Sequence, residues 1–389
     1  MRILILSNLY APEARGGAES IAKLTAQEMV RQGHTVTVLS TTAVRDAGIT
    51  ESSAEGVAVS RFCPSLPYAL LEDAHQPLWR RAVWHARDLW PFGLSGHVVK
   101  ETIERVKPDV IISHNLRGMG MSLVRGIQSS EVKWIHVLHD MQLLVPSGLF
   151  WLDRTPVWQR RFIGVPYQRW IRWLMGSPDL IVGPTHFIVD VHKKAGLFAT
   201  SELRLLQNPV GDLEHRVRTV KQTRASGEPM RLLFVGQLEE HKGVSTVLEA
   251  LMLPLDQSIQ FDVVGAGSQL VNLEMQSLNT PENVTVSFHG NVSHAHVLSF
   301  MSQADALVFP SVAVENCPGV ILEASAVGLL VIGSDQGGVP ELIDASGLFE
   351  PGNVRAIAQA IYDVSNGHVR PLQDFQPVSV VEYVKRLLA

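Results

Sequence analysis

The chain of 389 residues is poor in cysteine, in charged side chains and in long apolar runs. Its two cysteines, Cys63 and Cys317, are too few for a disulfide framework, which suits a reducing compartment. No apolar run approaches the roughly 18 residues that a membrane-spanning helix needs. Residues 1–6 lack the longer apolar region and the cleavage site of a secretory signal, and they predict a strand instead. These features predict a cytoplasmic protein.

Charge and composition exclude two further classes of protein. The formal net charge is −5, so no general basic field points to nucleic acid, and none is expected as a partner. Hydrophobic residues make up 46% of the chain and charged residues 18%, which is the reverse of the composition of disordered chains. At about 150 residues per domain, the length predicts two to three packed domains.

Tryptophan is distributed unevenly along the chain. There are eight tryptophans, and the half that follows residue 174 contains none. They are Trp79, Trp84, Trp90, Trp134, Trp151, Trp158, Trp170 and Trp173. The two halves of the chain are therefore expected to perform different tasks.

Short β-branched runs alternate with helical stretches, which is the pattern of parallel sheets with crossover helices. In the first half these runs predict strands near 2–7, 35–40, 57–62, 109–113, 133–139 and 179–183. In the second half they predict strands near 231–236, 259–264, 284–288, 305–309 and 330–333. A helix follows the first strand, because apolar residues from Ala18 to Met29 recur at helical spacing and Gly33 can close it. Residues 377–389 can form a last helix with Val381, Val384 and Leu388 on one face.

Residues 207–230 are rich in proline, glycine and polar side chains, and they predict a linker. The expected fold is therefore α/β, with two Rossmann-like domains that face each other across a cleft. The predicted parts are an N-terminal domain over 1–207, a linker over 208–230, a C-terminal domain over 231–370 and a C-terminal segment over 371–389 that returns to the first domain. Open α/β sheets bind ligands at the carboxyl ends of their strands, so the loops that leave strands are where a site is expected.

Four such loops combine glycine with polar residues. They are Gly16-Gly17-x-Glu19, Lys242-Gly243, the segment from Glu315 to Glu323, and Gly337-Gly338. Glycine lets a phosphate approach the backbone, and the free N–H groups of Gly319, Val320 and Ile321 at a helix start can bind a diphosphate. Each loop alone also fits a plainer interpretation, as a flexible loop, a solvated lysine, two solvated acids or a simple turn.

Taken together and in this order, the segments resemble glycosyltransferase family 4, which has the GT-B fold. The matching elements are Gly16-Gly17-x-Glu19, Val235-Gly236-x-Leu238 with Lys242-Gly243, Val264-Gly265-Ala266-Gly267, Glu315-x7-Glu323 and Gly337-Gly338-x-Pro340-Glu341-Leu342. They span nearly the whole chain, and the motifs of the second half are the more specific.

The resemblance implies a role for each matching position. Gly16 and Gly17 would approach the donor phosphates, Lys242 would neutralise the β-phosphate, and Glu323 would accept hydrogen bonds from the ribose. Glu315 would lie by the transferred sugar. The neighbouring residues that would hold sugar hydroxyls and phosphate are Asn316, Cys317, Gly319 and Val320. His139, followed by Asp140, matches the family's histidine near the reacting sugar and the acceptor.

Three further residues complete the expected site. His114 and Asn115 follow a strand and face the cleft by topology, where they either contact the acceptor or cap a turn. The family often has arginine where this chain has Gln237, which keeps hydrogen bonding but lacks a fixed charge. The sequence contains no Asp-x-Asp, the usual metal handle of the other large glycosyltransferase fold, so neither a metal nor another cofactor is expected.

Residues 151–174 hold five arginines, four tryptophans and a single acid, Asp153. Arginine with interfacial tryptophan is typical of a helix that lies on an anionic membrane surface. Two alternatives are a helix packed on its own sheet and aromatic rings that stack on a sugar chain. The membrane interpretation would place the protein peripherally on the inner face of the membrane.

The function expected from these features is retaining transfer of a hexose-type sugar from a nucleotide-diphosphate sugar to a glycan or lipid-linked acceptor, in bacterial polysaccharide or glycolipid synthesis. Two alternatives are a nucleotide-sugar epimerase of the same fold and a non-catalytic nucleotide-sugar-binding subunit, for which Gln237 is the only support. Donor consumption with and without an acceptor separates the three.

Overall fold

The computed structural model of the chain describes residues 1–13, 16–44, 49–146, 148, 163–211, 227–255, 257–372 and 375–389. The described residues form two compact units. The first holds those up to Pro209 together with Val380–Ala389, and the second holds those of Val210–Ser379.

The first unit is built on an eight-stranded sheet with the order β3-β4-β2-β1-β5-β6-β7-β8. The strands are β1 (Arg2–Leu6), β2 (Thr35–Thr41), β3 (Thr50–Ala54), β4 (Val57–Phe62), β5 (Val110–Ser113), β6 (Lys133–Val137), β7 (Leu180–Gly183) and β8 (Glu202–Leu205). All neighbours are parallel except β3, which pairs antiparallel to β4. In β1, Ile3, Leu4, Ile5 and Leu6 are all buried, as expected of a strand covered on both faces.

Among the described residues before position 200, six α-helices accompany this sheet. They are α1 (Gly17–Arg31), α2 (Leu78–Asp88), α3 (Leu94–Val106), α4 (Ser122–Gln128), α5 (Val165–Met175) and α6 (His186–Lys194). The predicted helix after β1 is α1, and Gly33 follows its end with a left-handed φ of 84°, which glycine adopts without strain. At its start, the carboxylate of Glu19 accepts a hydrogen bond from the Gly16 backbone N–H at 2.8 Å.

The second unit has a six-stranded parallel sheet with the order β11-β10-β9-β12-β13-β14. Its strands are β9 (Met230–Val235), β10 (Ile259–Val264), β11 (Val284–Gly290), β12 (Ala306–Phe309), β13 (Leu330–Ser334) and β14 (Leu348–Phe349). Its helices are α7 (Val244–Leu251), α8 (Leu270–Ser277), α9 (His294–Gln303), α10 (Gly319–Ala326) and α11 (Val354–Ser365). Along β9, Leu232 and Phe234 enter one core cluster while Leu233 enters another, so the sheet carries a packed core on each face.

The central strand order 3-2-1-4-5-6 occurs in both units, and it is the order of the doubly wound Rossmann fold. The order reverses at β1/β5 in the first unit and at β9/β12 in the second. Ligands bind outside the carboxyl ends of strands at such points. The predicted α/β fold is therefore confirmed, and it directs attention to the loops that follow these four strands.

The last helix, α12 (Val380–Leu388), belongs to the first unit and packs against α1. Its buried residues are Tyr383, Val384 and Leu387. Val384 was expected on the buried face, but Val381 is exposed. The buried face of α12 consists of residues 383, 384 and 387, which share one side of a helix and include the large ring of Tyr383.

All the predicted strands are present, but three short strands were missed. The strand β3 is exposed along its whole length, and its sequence Thr-Glu-Ser-Ser-Ala has no apolar alternation to reveal it. The strands β8 and β14 have only four and two residues. Within the described ranges, no helix is both long and apolar enough to cross a membrane.

Candidate functional site

An ion pair stands where the strand order of the second unit reverses. Lys242 ends a 3-10 turn, Glu240–Lys242, in the loop after β9, and Glu315 lies in the loop after β12. The Nζ atom of Lys242 is 2.6 Å from Oε1 of Glu315, and the two side chains are 20% and 25% exposed. The hydroxyl of Ser311 also donates to Glu315, at 3.3 Å. The structure thus joins two residues that were predicted from separate motifs.

The two loops are tied together by their backbones. The carbonyl oxygen of His241 accepts hydrogen bonds from the N–H groups of Val312 at 2.9 Å and Ala313 at 3.3 Å. Gly243 has a φ of 73°, and a Cβ atom there would stand 2.1 Å from the carbonyl oxygen of Pro310. Only glycine fits this crossing, so the backbone that carries Lys242 is fixed against the loop that carries Glu315.

The Gly337-Gly338 loop supports this arrangement from the other side. The Gly338 N–H donates to the carbonyl oxygen of Glu315 at 2.9 Å. The side-chain amide of Gln336 donates to the carbonyl oxygens of Ser311 at 2.7 Å and Ala313 at 3.1 Å. The loop was expected to line the site, and in the structure it braces the backbone around Glu315.

The Gly265-x-Gly267 motif performs the same task for the loop after β9. A Cβ atom on Gly265 would lie 1.8 Å from the carbonyl oxygen of Gly236, and the Leu238 N–H donates to Ala266 at 2.9 Å. Gln237 is exposed between these contacts. Its side chain is therefore carried on a rigid turn of the loop that also holds Lys242.

The helix α10 begins where the sequence predicts free backbone N–H groups. Pro318 caps the helix and Gly319 is its first residue, with no atom within 4 Å of where a Cβ would stand. The three free N–H groups expected here are reduced to two, because the Ile321 N–H donates to the Pro318 carbonyl at 3.1 Å. Those of Gly319 and Val320 have no hydrogen-bond partner among the described residues.

The residues between Glu315 and α10 are packed rather than solvated. Asn316 is 6% exposed, and Cys317 and Val320 pack against a core cluster of the second unit. A free cysteine commonly packs as a small apolar side chain in this way. The side chains of Asn316 and Cys317 thus stiffen the turn that presents the start of α10.

Glu323 has a partner that the sequence did not reveal. Nε2 of His294, the first residue of α9, lies 3.1 Å from Oε1 of Glu323. The Glu323 side chain is 26% exposed, and that of His294 is 56% exposed. A histidine and an acid 29 positions apart carry no spacing signal, so only the structure could show this pair.

In the first unit, the Gly16-Gly17 pair is open. Among the described residues, no atom lies within 4 Å of where a Cβ on Gly17 would stand, and the nearest to one on Gly16 is a Glu19 carboxylate oxygen at 3.5 Å. Both residues are exposed, and they start α1 directly after the loop that leaves β1.

His114 and His139 form a ring pair at the carboxyl ends of β5 and β6. The Nδ1 atom of His114 is 2.8 Å from Nε2 of His139, and the ring centroids are 5.1 Å apart. Burial, followed by the nearby His139 and His136, holds the pKa of His114 well below its ordinary value, and burial lowers the pKa of His139 to about 4. His114 is only 1% exposed and points at a ring instead of solvent. The acceptor contact expected of His114 stays a prediction.

Asn115 and Asp140 are linked through one glutamine. The side-chain amide of Gln142 donates to Oδ1 of Asn115 at 2.8 Å, and the Gln142 N–H donates to Asp140 at 2.8 Å. Burial raises the pKa of Asp140 to about 6.

A second acid, Asp88, was missed by sequence reasoning. It is buried and accepts hydrogen bonds from the N–H groups of Gly118 and Gly120, and burial raises its pKa to about 6.

The arginine- and tryptophan-rich segment 151–174 is described only from residue 163 onward. Its earlier part, with Trp151, Trp158 and three of its arginines, lies outside the described residues. Within α5, Ile171, Leu174 and Met175 are buried. Trp170 and Trp173 are 40% and 54% exposed, so the helix packs one face inward and shows its tryptophans outward.

In the part of the chain that the structure describes, no three histidine, cysteine or acidic residues are grouped so that they could hold a metal ion.

Two family profiles match the chain. One is described as Glycosyltransferase Family 4 and covers residues 15–212, and the other is described as Glycosyl transferases group 1 and covers residues 216–373. An uncharacterized 42.6 kDa protein of the cps region of Klebsiella pneumoniae is 24% identical, over 88% of this chain and 87% of its own. The amylovoran biosynthesis glycosyltransferase AmsK of Erwinia amylovora is 29% identical, over 36% of this chain and 37% of its own.

Two solved structures illustrate the fold that this chain shares with known proteins. Sucrose-phosphate synthase from Thermosynechococcus elongatus aligns with a TM-score of 0.70 at 18% identity, over 99% of this chain and 94% of its own. Anabaena HepE, in complex with UDP-glucose, aligns with a TM-score of 0.66 at 18% identity, over 100% of this chain and 98% of its own. These likenesses show the GT-B fold. Because the first family profile covers just over half of the sequence, the chain belongs to glycosyltransferase family 4.

Proposed function

We propose that this glycosyltransferase moves a hexose-type sugar from a nucleotide-diphosphate sugar to a glycan or lipid-linked acceptor, with retention of the anomeric configuration. The observation that carries the proposal is the 2.6 Å pair of Lys242 and Glu315 at the point where the strand order reverses. Relatives named for amylovoran biosynthesis and for a cps region support a role in bacterial polysaccharide or glycolipid synthesis. A solved neighbour in complex with UDP-glucose supports a nucleotide sugar as donor.

The donor's diphosphate would compete with Glu315 for Lys242. A diphosphate carries more negative charge than a carboxylate, so it attracts the Lys242 ammonium more strongly. The Gly319 and Val320 N–H groups at the positive end of α10 would share that charge. Release of Lys242 would leave the Glu315 carboxylate free to accept hydrogen bonds from hydroxyls of the transferred sugar.

Glu323 would hold the nucleotide ribose. It lies in α10, a little over one turn beyond Gly319. One helix would therefore contact both the diphosphate and the ribose of the donor. The Nε2 atom of His294 donates to the same carboxylate at 3.1 Å. The histidine would thus keep Glu323 extended toward the ribose hydroxyls.

The leaving nucleotide would be stabilised without a metal ion. Preorganised donors aimed at a developing charge contribute about 3–4 kcal/mol each. Lys242 and the start of α10 would supply this stabilisation, with Gln237 as a neutral hydrogen-bonding partner where the family often has arginine. Gly16 and Gly17 would approach the phosphates, as the resemblance implies; the described surroundings of Gly17 are open, whereas the Gly16 N–H already donates to the Glu19 carboxylate.

The test is donor consumption with and without an acceptor, after a thermal-shift screen of nucleotide sugars has identified the donor. A transferase consumes the donor much faster when acceptor is added, and the product keeps the donor's anomeric configuration. Isomerised donor without acceptor would favour the epimerase. Binding of nucleotide sugar without turnover under any condition would favour the non-catalytic subunit and contradict the proposal.

We also propose that the first unit lies on an anionic membrane surface through an aromatic surface formed by α2, residues 90–94 and α5. Its exposed members are Leu78, Trp79, Val83, Trp90, Phe92, Leu94, Trp170 and Trp173. The members in residues 90–94 and α5 are linked in space, because the Trp90 and Phe92 rings are in contact, those of Trp170 and Trp173 are 5.0 Å apart, and Trp170 Nε1 donates to the Leu89 carbonyl. Leu78, Trp79 and Val83 extend the exposed apolar residues along α2. Exposed apolar area of this extent is typical of an interaction site.

The charge on this aromatic surface favours an anionic bilayer. Among residues 76–97 and 163–175 the single acid is Asp88, which is buried, while five arginines are present. The guanidinium of Arg125 lies 4.4 Å from the centre of the Phe92 ring and 4.9 Å from that of Trp173. Tryptophan and arginine together are typical of the membrane interface. This would bring a lipid-linked acceptor close to the first unit.

Flotation with vesicles tests the membrane proposal. The wild-type protein should float with phosphatidylglycerol vesicles at low salt and much less with phosphatidylcholine vesicles. The double change Leu78→Ser and Trp79→Ser should lower the floated fraction by about fivefold or more. Leu278→Ser is the matched control, because that leucine is 84% exposed in the second unit. Wild-type protein that stays in the soluble fraction, or that dimerises through these residues instead, would contradict the proposal.

A further inference from the structure

The His114–His139 pair has a defined hydrogen-bond direction. His114 follows β5, His139 follows the neighbouring strand β6, and their Nδ1 and Nε2 atoms are 2.8 Å apart. Burial keeps both rings neutral at neutral pH, since it lowers the pKa of each. A neutral imidazole has one N–H donor and one bare acceptor nitrogen. One of the two rings must therefore donate and the other accept.

The environment of His114 selects between the two directions. Its Nε2 atom is buried and has no hydrogen-bond partner in the described parts of the chain. If His139 donated, His114 would carry its proton on Nε2, as a buried N–H without an acceptor. If His114 donates, the buried Nε2 is a bare acceptor. Unpaired N–H groups in protein interiors are rarer than under-used acceptors, so the second direction is favoured.

We infer that His114 is a positioning residue whose Nδ1–H donates to His139 and thereby fixes the proton of His139 on its Nδ1 atom. The nearly parallel stacking of the two rings, with 23° between their planes, restrains the orientation of His139 as well. The ring of His139 then offers an N–H donor, through Nδ1, to a hydroxyl or ring oxygen of a bound sugar. This inference rests on the proposed function only in the last step, the contact with sugar.

Two substitutions at position 114 test the direction directly. The amide nitrogen of asparagine can take the place of Nδ1, and that of glutamine can take the place of Nε2. His114→Asn should keep a donor toward His139, whereas His114→Gln and His114→Phe should not. Thermal unfolding of each variant establishes that it is folded before it is compared.

The first readout is the histidine tautomer, from long-range ¹H–¹⁵N spectra of the full-length protein, with the His139 signals assigned by their loss in His139→Gln. His139 should carry its proton on Nδ1 in the wild type and in His114→Asn. In His114→Phe it should become a mixture of both tautomers. A proton on Nε2 of His139 in the wild type, or a spectrum of His139 that is the same in His114→Phe, would overturn the inference.

The second readout is transfer activity, which separates this inference from the proposed function. Because a wrong tautomer misplaces a donor in the transition state, kcat should fall by about tenfold in His114→Phe and His114→Gln, with KM for the donor little changed. His114→Asn should lose less than about threefold. If the tautomer changes as predicted but kcat does not, the inference about His114 stands and the role proposed for His139 is wrong.

Discussion

The two units have the same strand order but carry their polar residues in different ways. In the second unit, Lys242 and Glu315 lie on loops that are locked by glycine crossings and backbone hydrogen bonds. In the first unit, His114, His139 and Asp88 are held in buried pairs or by backbone N–H groups. One unit thus has a rigid, partly exposed charge site, and the other has a desolvated network of histidines and acids.

The difference explains why the functional residues of the second unit are easier to recognise in the sequence. Glycine that is required by a backbone crossing appears in short motifs such as Lys242-Gly243 and Gly337-Gly338, which can be seen in a sequence. A pair of rings on neighbouring strands, such as His114 and His139, lies 25 positions apart and has no local signature. We expect the two units to respond differently to substitution and to pH.

The largest effect is expected from removal of the charge in the second unit. Lys242→Ala should lower kcat for transfer by about 100- to 1000-fold, because a preorganised cation at the leaving group contributes about 3–4 kcal/mol. The fold should survive, since the Lys242 side chain is partly exposed. Lys100→Ala, at an exposed position of α3, is the matched control and should leave kcat unchanged. Steady-state kinetics with the identified donor measures both, and near-normal turnover of Lys242→Ala would contradict the assignment.

The glycines of the second unit should divide into two kinds. Gly243→Ala should cost at least about 2 kcal/mol of unfolding free energy, because of its left-handed φ and its approach to Pro310. Gly319→Ala should change stability by less than about 0.5 kcal/mol, because nothing surrounds it and helix starts accept alanine. It should nevertheless weaken donor binding, since its methyl group would stand where phosphate is proposed. Urea unfolding and donor titration check the two parts, and equal stability of the two variants would show that the crossing is not rigid.

The first unit should be the acid-sensitive one. Burial lowers the pKa of His136 to about 3, of His192 to about 4 and of His139 to about 4. Because these pKa values are depressed in the folded state, the stability they contribute is complete above pH 6.5 and is lost as the pH falls toward 4. Each contributes up to about 1.4 kcal/mol per pH unit in that window. Asp88 and Asp140, with pKa values raised to about 6, oppose the loss below that pH.

Tryptophan fluorescence during urea unfolding measures this effect, because every described tryptophan lies in the first unit. Between pH 6.5 and 5, His192→Phe should reduce the slope of unfolding free energy against pH by about 1 kcal/mol per unit. His368→Gln is the control, since that side chain is 66% exposed and lies in the second unit. A slope that His192→Phe leaves unchanged would mean that His192 is charged in the folded protein.

The smallest effect is expected at His294. Its contact with Glu323 is exposed on one side, and exposed pairs contribute little. His294→Ala should therefore raise the KM for the donor by about two- to fivefold with little change in kcat. Kinetics over a range of donor concentrations checks this, and a large fall in kcat would show that His294 takes part in the chemistry instead.

Much of the fold could be predicted from the sequence, because buried parallel strands consist of continuous apolar runs. Residues 3–6 and 306–309 are examples, and both lie in strands that were predicted at their observed places. The strand β3 could not be predicted, because it is exposed and polar. On the last helix, Tyr383 is fully buried. Val381 is exposed, although it is as apolar as the buried Val384 on the same helix.

The site residues could be predicted where a local sequence motif determines the backbone conformation. Contacts between side chains that are distant in the sequence could not be predicted. Lys242, Glu315 and Gly319 were identified from the loops that follow strands, which topology brings together. The capping of the Ile321 N–H by Pro318, the contact of His294 with Glu323 and the burial of His114 depend on side-chain and cap geometry. None of these has a spacing rule from which it could be read.

The central claim is that Lys242 exchanges Glu315 for the donor's diphosphate, and calorimetric titration with UDP and GDP tests it most directly. For whichever nucleotide binds the wild type, Lys242→Ala should weaken affinity by about 10- to 100-fold, because it removes the cation. Glu315→Gln should leave affinity unchanged or increase it, because it removes the competing carboxylate. Wild-type affinity in Lys242→Ala, or a loss in Glu315→Gln as large as that in Lys242→Ala, would contradict the account.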